Sequence, residues 1–283
     1  MKSTLIHIIF CMVLFAVSTA GAEPATASGG TPYIMGVFPF VPTANIEGIF
    51  APLAAELSRS LGRPVKLRTA PSFEKFADEL KNRSFDIAFV QPFDYVDVSG
   101  PGGYLPLAAR NDILTSHIVV KHDSSLRNLQ DLRGKSIGMP PKVAAVSFLN
   151  RLSLKKAGLT PDKDIKLVYL ASHQACLQQL MIGTVAACGV SPAGVRLAEM
   201  QLKTEFRLIH ESPPIPTPLF VVKSSLPIKD RDTMLMVLTT TDLAGVRPDL
   251  RAMFVDTKGK PFRKASDREY EVVRSLMKTY SVR

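Results

Sequence analysis

Phe85-Asp86-Ile87-Ala88-Phe89-Val90 is the stretch that decides the fold class, because its mostly apolar run predicts a buried strand. Two further strands are predicted upstream, over residues 33–38 and 65–69. Between the three strands, apolar residues at helical spacing over 46–61 and 73–80 predict two helices, the first ended by Gly62. The order β-α-β-α-β is typical of a parallel sheet covered by helices.

The same pattern restarts downstream, which predicts a second α/β unit. Strands are predicted over 116–121, 135–139, 165–170, 185–190 and 206–210. A helix is predicted from Pro140-Pro141 to Lys156, a second after the N-cap Ser172, and a third after Ser191-Pro192.

Residues 212–218 contain four prolines, so this run is neither helix nor central strand. It leads into a strand over 219–222 and then into helices over 229–241 and 266–281. The last helix opens with the capping box Ser266-x-x-Glu269. Two units joined by two crossing segments indicate two lobes with a cleft between them. We expect lobe 1 over 32–115, lobe 2 over 116–212, and a return to lobe 1 with C-terminal helices over 213–283.

The first 22 residues have the composition of a secretory signal peptide. Lys2 precedes an almost wholly apolar run over 5–17, and Ala20-Gly21-Ala22 fits a cleavage site near Ala22. The run of about 13 residues is too short to span a bilayer as an anchor. We therefore expect export to the periplasm, with a flexible mature N-terminus over 23–31.

The composition excludes several function classes. The chain of 283 residues is 46% hydrophobic and 21% charged, with a net charge of +10, which is typical of a globular protein. A basic balance favours an anionic partner, but export and the scattered lysines and arginines argue against nucleic acid. No nucleotide loop, metal-ligand spacing or catalytic triad is recognisable, so no enzyme, cofactor or metal site is expected.

Cys176 and Cys188 remain after the predicted cleavage. They lie on a predicted helix and on the strand that follows it. Three alternatives stay open: a disulfide, which an oxidising compartment permits; a reduced, packed pair; and a thiol site for a soft ligand such as arsenite.

The chain resembles the phosphate/phosphite/phosphonate-binding periplasmic proteins that serve ABC transporters. Six stretches over almost the whole mature chain carry the resemblance: 85–92, 116–120, 128–135, 155–159, 172–177 and 212–216. The tail over 267–276 is similar as well. The resemblance implies a type II periplasmic-binding fold, in which each lobe is a mixed, mostly parallel sheet flanked by helices. It also implies a two-strand hinge, near Ser116 and in 212–218, that closes the lobes on a ligand without chemistry.

The resemblance also implies site residues. His173 matches a ligand-contacting histidine of the family, and Phe73 stands where a tyrosine is frequent. Lys142, Val143 and Ala145 replace the family's hydroxyl-bearing loop, and Ser191 stands where phosphonate binders place a carboxylate. Without that carboxylate, an aminoalkylphosphonate ligand is not expected. The ligand-binding residues predicted in this way are Phe40, Phe73, Gln91, Pro92, Ser116, Lys142, Val143, Ala145, His173 and Ser191.

The leading hypothesis is a monomeric periplasmic solute-binding protein that captures a small ligand, an oxyanion, for the permease of an ABC importer. The alternative is a periplasmic partner of a membrane sensor kinase in two-component signalling, responding to arsenite or another oxyanion. A third hypothesis, a catalytic domain on the same fold, predicts turnover of a bound compound.

Overall fold

The computed structural model describes residues 30–100, 102–251, 254 and 260–280. The predicted signal peptide over 1–22 lies outside these residues, as do residues 23–29 of the predicted flexible N-terminus. Within the described residues, no helix is both long and apolar enough to cross a membrane.

The described part of the chain alternates between strands and helices. Its strands are β1 (Tyr33–Val37), β2 (Val65–Arg68), β3 (Ile87–Val90), β4 (Tyr104–Arg110), β5 (His117–Lys121), β6 (Ser136–Met139), β7 (Lys166–Tyr169), β8 (Ala187–Val190), β9 (Phe206–Glu211), β10 (Leu219–Lys223) and β11 (Phe262–Lys264). Its α-helices are α1 (Thr43–Leu61), α2 (Phe73–Lys81), α3 (Pro92–Val98), α4 (Ala145–Lys156), α5 (His173–Ile182), α6 (Pro192–Leu202), α7 (Ile228–Thr240), α8 (Pro248–Arg251) and α9 (Glu271–Tyr280). Single 3₁₀ turns cover Leu129–Leu132 and Asp267–Tyr270.

The first lobe is built on a six-stranded sheet with the strand order β11-β4-β10-β3-β1-β2. The stretch quoted first supplies its centre, since β3 is buried along its whole length and pairs with β1 in parallel. Aromatic rings fill the space beside it: the ring of Phe89 lies 4.9 Å from that of Phe220 and 5.3 Å from that of Phe50. Large buried side chains of this kind stabilise the lobe mainly through the hydrophobic effect.

The second lobe is built on a five-stranded sheet with the strand order β7-β6-β8-β5-β9. Separate apolar clusters lie against it, one centred on Cys176, Leu177 and Cys188 and the other on Ile137 and Leu154. Two sheets flanked by helices confirm the α/β, two-lobed architecture predicted from the sequence.

Both sheets are mixed and mostly parallel, as predicted, because β10 and β11 run against the other four strands of the first sheet and β5 runs against the other four strands of the second. In the first sheet, β10 runs antiparallel to both β3 and β4, and β11 runs antiparallel to β4. In the second sheet, β5 runs antiparallel to both β8 and β9. β5 and β10 each follow a crossing between the lobes, so the chain enters the sheet there from the opposite end.

Two crossing segments join the lobes, residues 111–116 and residues 212–218. They pair with each other through Leu114 and Ile215, whose backbone N–H groups each donate to the other's carbonyl at 3.0 and 2.9 Å. Ser116 and Ser212 extend the pairing, because the backbone N–H of Ser116 donates to Ser212 Oγ at 2.9 Å. The lobe boundaries predicted at 115/116 and 212/213 fall inside these segments.

The lobes also contact each other away from the crossings, through α4. Phe148 on α4 packs its ring edge against Phe93 on α3, with the ring centroids 4.8 Å apart. Lys155 on α4 lies 5.6 Å from the ring centroid of Tyr280 on α9. An apolar interface therefore closes one side of the cleft.

The start of α4 is a correction to the sequence analysis. The helix begins at Ala145, five residues after the predicted start at Pro140. A proline disfavours the helical conformation in the residue before it, so Pro140 cannot begin a helix that continues through Pro141. The chain instead makes a turn, in which the Ala144 N–H donates to the Pro141 carbonyl at 2.9 Å.

Most other termini lie within three residues of their predicted positions, but α9 begins at Glu271, five residues after the predicted start at Ser266. The capping box of Ser266 and Glu269 is present, although the segment it caps begins as a 3₁₀ turn before it becomes α9. The sequence analysis did not predict α3, β4, α8 or β11.

Candidate functional site

A cleft of about 770 Å³ lies between the two lobes. The starts of several helices line it, including those of α3, α4, α5 and α6. Because a helix N-terminus presents unpaired N–H groups and a partial positive charge, this arrangement favours an anionic ligand.

The wall contributed by the first lobe is aromatic. Phe38, Phe40 and Phe73 line it together with Pro92. The ring centroid of Phe38 is 5.0 Å from that of Phe40 and 5.8 Å from that of Phe73, so the three rings form one continuous group. We call Phe38, Phe40 and Phe73 the aromatic wall.

The wall contributed by the second lobe is polar and is built from the first turns of α5 and α6. Ser172 caps α5 by accepting from the Ala175 N–H at 3.1 Å, and Ser191 caps α6 by accepting from the Gly194 N–H at 3.1 Å. Each cap binds only one of the N–H groups at its helix start. The partial positive charge of both helix N-termini therefore remains available to a ligand in the cleft.

His173 joins these two helix starts. The backbone N–H of Ser191 donates to His173 Nδ1 at 3.3 Å, which requires that the neutral ring carries its hydrogen on Nε2. Burial lowers the pKa of His173 to about 4, so the ring is neutral at physiological pH. Gly194 fits closely against it, since a Cβ at that position would lie 3.1 Å from the His173 Cβ. The ring is therefore held as a neutral hydrogen-bond donor.

Gln91 connects the lobes across the cleft. Its buried side chain accepts a hydrogen bond from the Ala145 N–H at 2.8 Å and donates one to Asp94 at 3.0 Å. The first N–H group of α4 therefore already has a protein partner.

Asp94 completes this link on α3. Loss of hydration raises the pKa of its carboxyl group to about 7, and the nearby charge of Asp97 acts in the same direction. The hydrogen bond from Gln91 and the charge of Lys81 oppose this shift without cancelling it.

Close pairs of polar or charged side chains lie at the cleft. Arg110 Nε lies 3.1 Å from Asp112, His117 Nε2 lies 3.3 Å from Glu211, and Arg263 lies 2.5 Å from Glu269. Arg196 on α6 contributes a further cation to the lining. The paired carboxylates of Asp112 and Glu211 lie where the lobes join.

The structure brings most of the predicted site residues together at the cleft. Those that line it are Phe40, Phe73, Gln91, Pro92, Ala145, His173 and Ser191. Phe38, which follows a buried strand and lies two residues before Phe40, belongs to the same wall.

Three predicted residues do not line the cleft. Ser116 is fully buried in the hinge, where pairing with Ser212 fixes its backbone. Lys142 and Val143 lie in the turn that precedes α4, and Val143 is 46% exposed there. The later start of α4 explains their displacement, because a helix from Pro140 would have placed them in its first turn.

Several lining residues were missed by the sequence analysis. They are mainly polar residues of α5, α6 and the crossing segments: Asn111, Gln174, Arg196 and Gln201. Their sequence signal is weak, because solvent-exposed helix positions have the same composition.

Cys176 and Cys188 are bonded to each other in the structure, with their Cα atoms 6.0 Å apart. The bond ties α5, which carries His173, to β8, which leads into Ser191. Bonded sulfurs are not thiolates, so this state offers no thiol site for a soft ligand. Within the described residues, no group of three or more His, Cys, Asp or Glu side chains is placed to hold a metal ion.

Comparison with known proteins adds a family and a set of similar folds. Residues 35–270 match the family model described as the phosphonate ABC transporter periplasmic substrate-binding protein. PhnD1 from Prochlorococcus marinus (MIT 9301), solved in complex with methylphosphonate, is similar with a TM-score of 0.75 and 16% identity, over 88% of this chain and 98% of that one.

Two further solved structures share the fold. A binding-protein component of a phosphonate ABC transporter from Pseudomonas aeruginosa has a TM-score of 0.73 and 17% identity, over 87% of this chain and 85% of that one. The periplasmic aliphatic sulphonate binding protein SsuA from Escherichia coli has a TM-score of 0.59 and 13% identity, over 89% of this chain and 87% of that one.

Proposed function

Because the chain belongs to the periplasmic substrate-binding proteins of phosphonate ABC transporters, we propose that its cleft captures a small oxyanion and presents it to an ABC permease. The predicted signal peptide is consistent with a periplasmic protein. Nothing in the comparisons supports the alternative of a sensor-kinase partner.

The polar wall at the starts of α5 and α6 is the observation that carries this proposal. Two helix N-termini and the neutral donor His173 meet there, linked by the bond from Ser191 N–H to His173 Nδ1. A phosphonate oxygen at this wall accepts the hydrogen on His173 Nε2 and the remaining N–H groups of the two helices. The first N–H group of α4 already donates to Gln91. We therefore expect α4 to give the phosphonate headgroup fewer hydrogen bonds than the hydroxyl-bearing loop of the family would give.

Binding without turnover follows from the same site. His173 is the histidine at the polar wall, and its Nδ1 is engaged by a backbone N–H group instead of by a nucleophile or an orienting carboxylate. We propose that the protein has no catalytic activity.

A thermal-shift panel of phosphate, phosphite, methylphosphonate and sulfate, with glucose as a neutral compound, tests the proposal. An oxyanion that binds the folded state raises the melting temperature. Since one hydrogen bond to a charged group contributes about 1.5–3 kcal/mol, His173→Ala should weaken binding about 10- to 100-fold. His122→Ala is the matched control, because His122 is exposed and does not line the cleft.

Either of two results would overturn the proposal. The first is an unchanged melting temperature with every oxyanion and a shift with glucose. The second is an oxyanion affinity that His173→Ala and His122→Ala leave equally unaffected, which would remove His173 from the site.

A further inference from the structure

The cleft is much larger than a one-carbon oxyanion needs. Its volume is about 770 Å³. At roughly 30 Å³ for each water-sized group, the five non-hydrogen atoms of methylphosphonate fill about 150 Å³. Cavities of this size usually hold ligands with a substantial organic part.

The aromatic wall gives the chemistry of that organic part. Phe40 is partly exposed at the cleft, and Phe38 and Phe73, each 5% exposed, lie at its edge. Phe38 packs against both Phe40 and Phe73, so the wall is apolar and firmly packed. It faces the second lobe, where the headgroup donors are. A ligand that satisfies both walls therefore has an oxyanion at one end and an apolar group at the other.

The carboxylates of the lining argue against a cationic substituent. Asp112 is paired with Arg110, and its side chain is 13% exposed. Glu211 lies 3.3 Å from His117 and also accepts a hydrogen bond from Thr115. A ligand ammonium group gains less from either carboxylate than from an unpartnered one, because each already has a partner within the protein.

We propose that the physiological ligand is an organophosphonate with an uncharged apolar or aromatic substituent, which packs on Phe38, Phe40 and Phe73. The proposal rests on the proposed function, because it takes the oxyanion headgroup as given. It adds the class of substituent and makes the aromatic wall the determinant of specificity.

Isothermal titration of the purified, exported protein with three probes tests the proposal: methylphosphonate, phenylphosphonate and 2-aminoethylphosphonate. We expect phenylphosphonate to bind at least about tenfold more tightly than methylphosphonate, the factor that one added methylene gives in an apolar pocket. We expect 2-aminoethylphosphonate to bind no better than methylphosphonate.

Variants of Phe40 assign the preference to the aromatic wall. Phe40→Ala should reduce the advantage of phenylphosphonate over methylphosphonate towards one, because it removes the ring on which the phenyl substituent packs. Phe40→Leu keeps most of the apolar volume and should keep part of the advantage, which guards against misfolding of the alanine variant. Ile182→Ala, an exposed apolar position at the end of α5, should change nothing.

The outcomes separate the two proposals. Equal affinities for methylphosphonate and phenylphosphonate, or the tightest binding for 2-aminoethylphosphonate, would overturn this inference and leave the proposed function standing. An advantage for phenylphosphonate that survives in Phe40→Ala would also overturn it. Binding of none of the three probes would overturn the proposed function, and this inference with it.

Discussion

His173 and Asp94 are displaced in opposite directions from their ordinary pKa values. Burial lowers the pKa of His173 from 6.5 to about 4, so folding favours its neutral form. Loss of hydration raises the pKa of Asp94 from 3.8 to about 7, so folding favours its neutral form as well. His173 lines the cleft, Asp94 accepts a hydrogen bond from the cleft residue Gln91, and each makes stability depend on pH.

The two residues oppose each other between about pH 4 and pH 6.5. The contribution of His173 is fully present above pH 6.5 and is lost as the pH falls towards 4, because the unfolded state then binds the proton first. The contribution of Asp94 is fully present below pH 3.8 and is lost as the pH rises towards 7, because the unfolded state ionises first.

In the wild-type protein, the two residues partly cancel each other's effect on how the free energy of unfolding changes with pH. We therefore predict that substituting either residue reveals the pH dependence due to the other. His173→Gln should make the free energy of unfolding fall as the pH rises from 4 to 6.5, and Asp94→Asn should make it rise. Urea unfolding at half-unit pH steps measures both. The same slope in both variants and the wild type would show that neither residue titrates in this range.

The disulfide acts at the scale of elements, because it joins α5 to β8. These two elements bring His173 and Ser191 to the cleft, and the Ser191 N–H to His173 Nδ1 bond lies between them. A closed loop between cysteines 12 residues apart restricts the unfolded chain more than the folded one.

We predict that the double variant Cys176→Ala/Cys188→Ala lowers the free energy of unfolding by about 3 kcal/mol, the value for a loop of this size. Denaturant titration of both proteins, with and without dithiothreitol, measures the change. Reductant should destabilise the wild type and leave the variant unaffected. Two free thiols in the denatured, unreduced wild-type protein would instead favour the reduced pair.

Local patterns predicted most elements, whereas long-range contacts decide the rest. His173 and Ser191 could be placed at helix starts because their caps are encoded within three residues. Gln91 could be placed at the cleft, but its bond to Ala145, 54 residues away, could not be predicted. Ser116 was expected in the site, yet its partner Ser212 lies 96 residues away and buries it in the hinge.

Helices α3 and α4 and the residue that precedes α3 make two contacts between the lobes, in addition to the crossing segments and the approach of Lys155 to Tyr280. One is apolar, where Phe93 meets Phe148, and the other is polar, where Gln91 joins Asp94 and Ala145. The polar contact lies inside the cleft and depends on a single side chain. It therefore stabilises the degree of lobe closure seen in the structure.

We predict that Gln91→Ala shifts the ligand-free protein towards more open conformations, because it leaves the Ala145 N–H without its partner. An unpaired buried donor costs about 1–3 kcal/mol. Small-angle X-ray scattering should give a larger radius of gyration for Gln91→Ala than for the wild type. Gln178→Ala, at an exposed position of α5, is the control; an equal radius in all three proteins would contradict the prediction.

The prolines of the second crossing segment affect the length of ligand that the cleft accepts. Pro213, Pro214, Pro216 and Pro218 have fixed φ angles, so these four residues can rotate only about ψ, and the bonds for both angles are free to rotate only at Ser212, Ile215 and Thr217. The Leu114–Ile215 pairing couples those bonds to the other segment. A linkage with so few free rotations allows only a narrow set of separations between the two walls. The protein would then select ligands by end-to-end length as well as by charge.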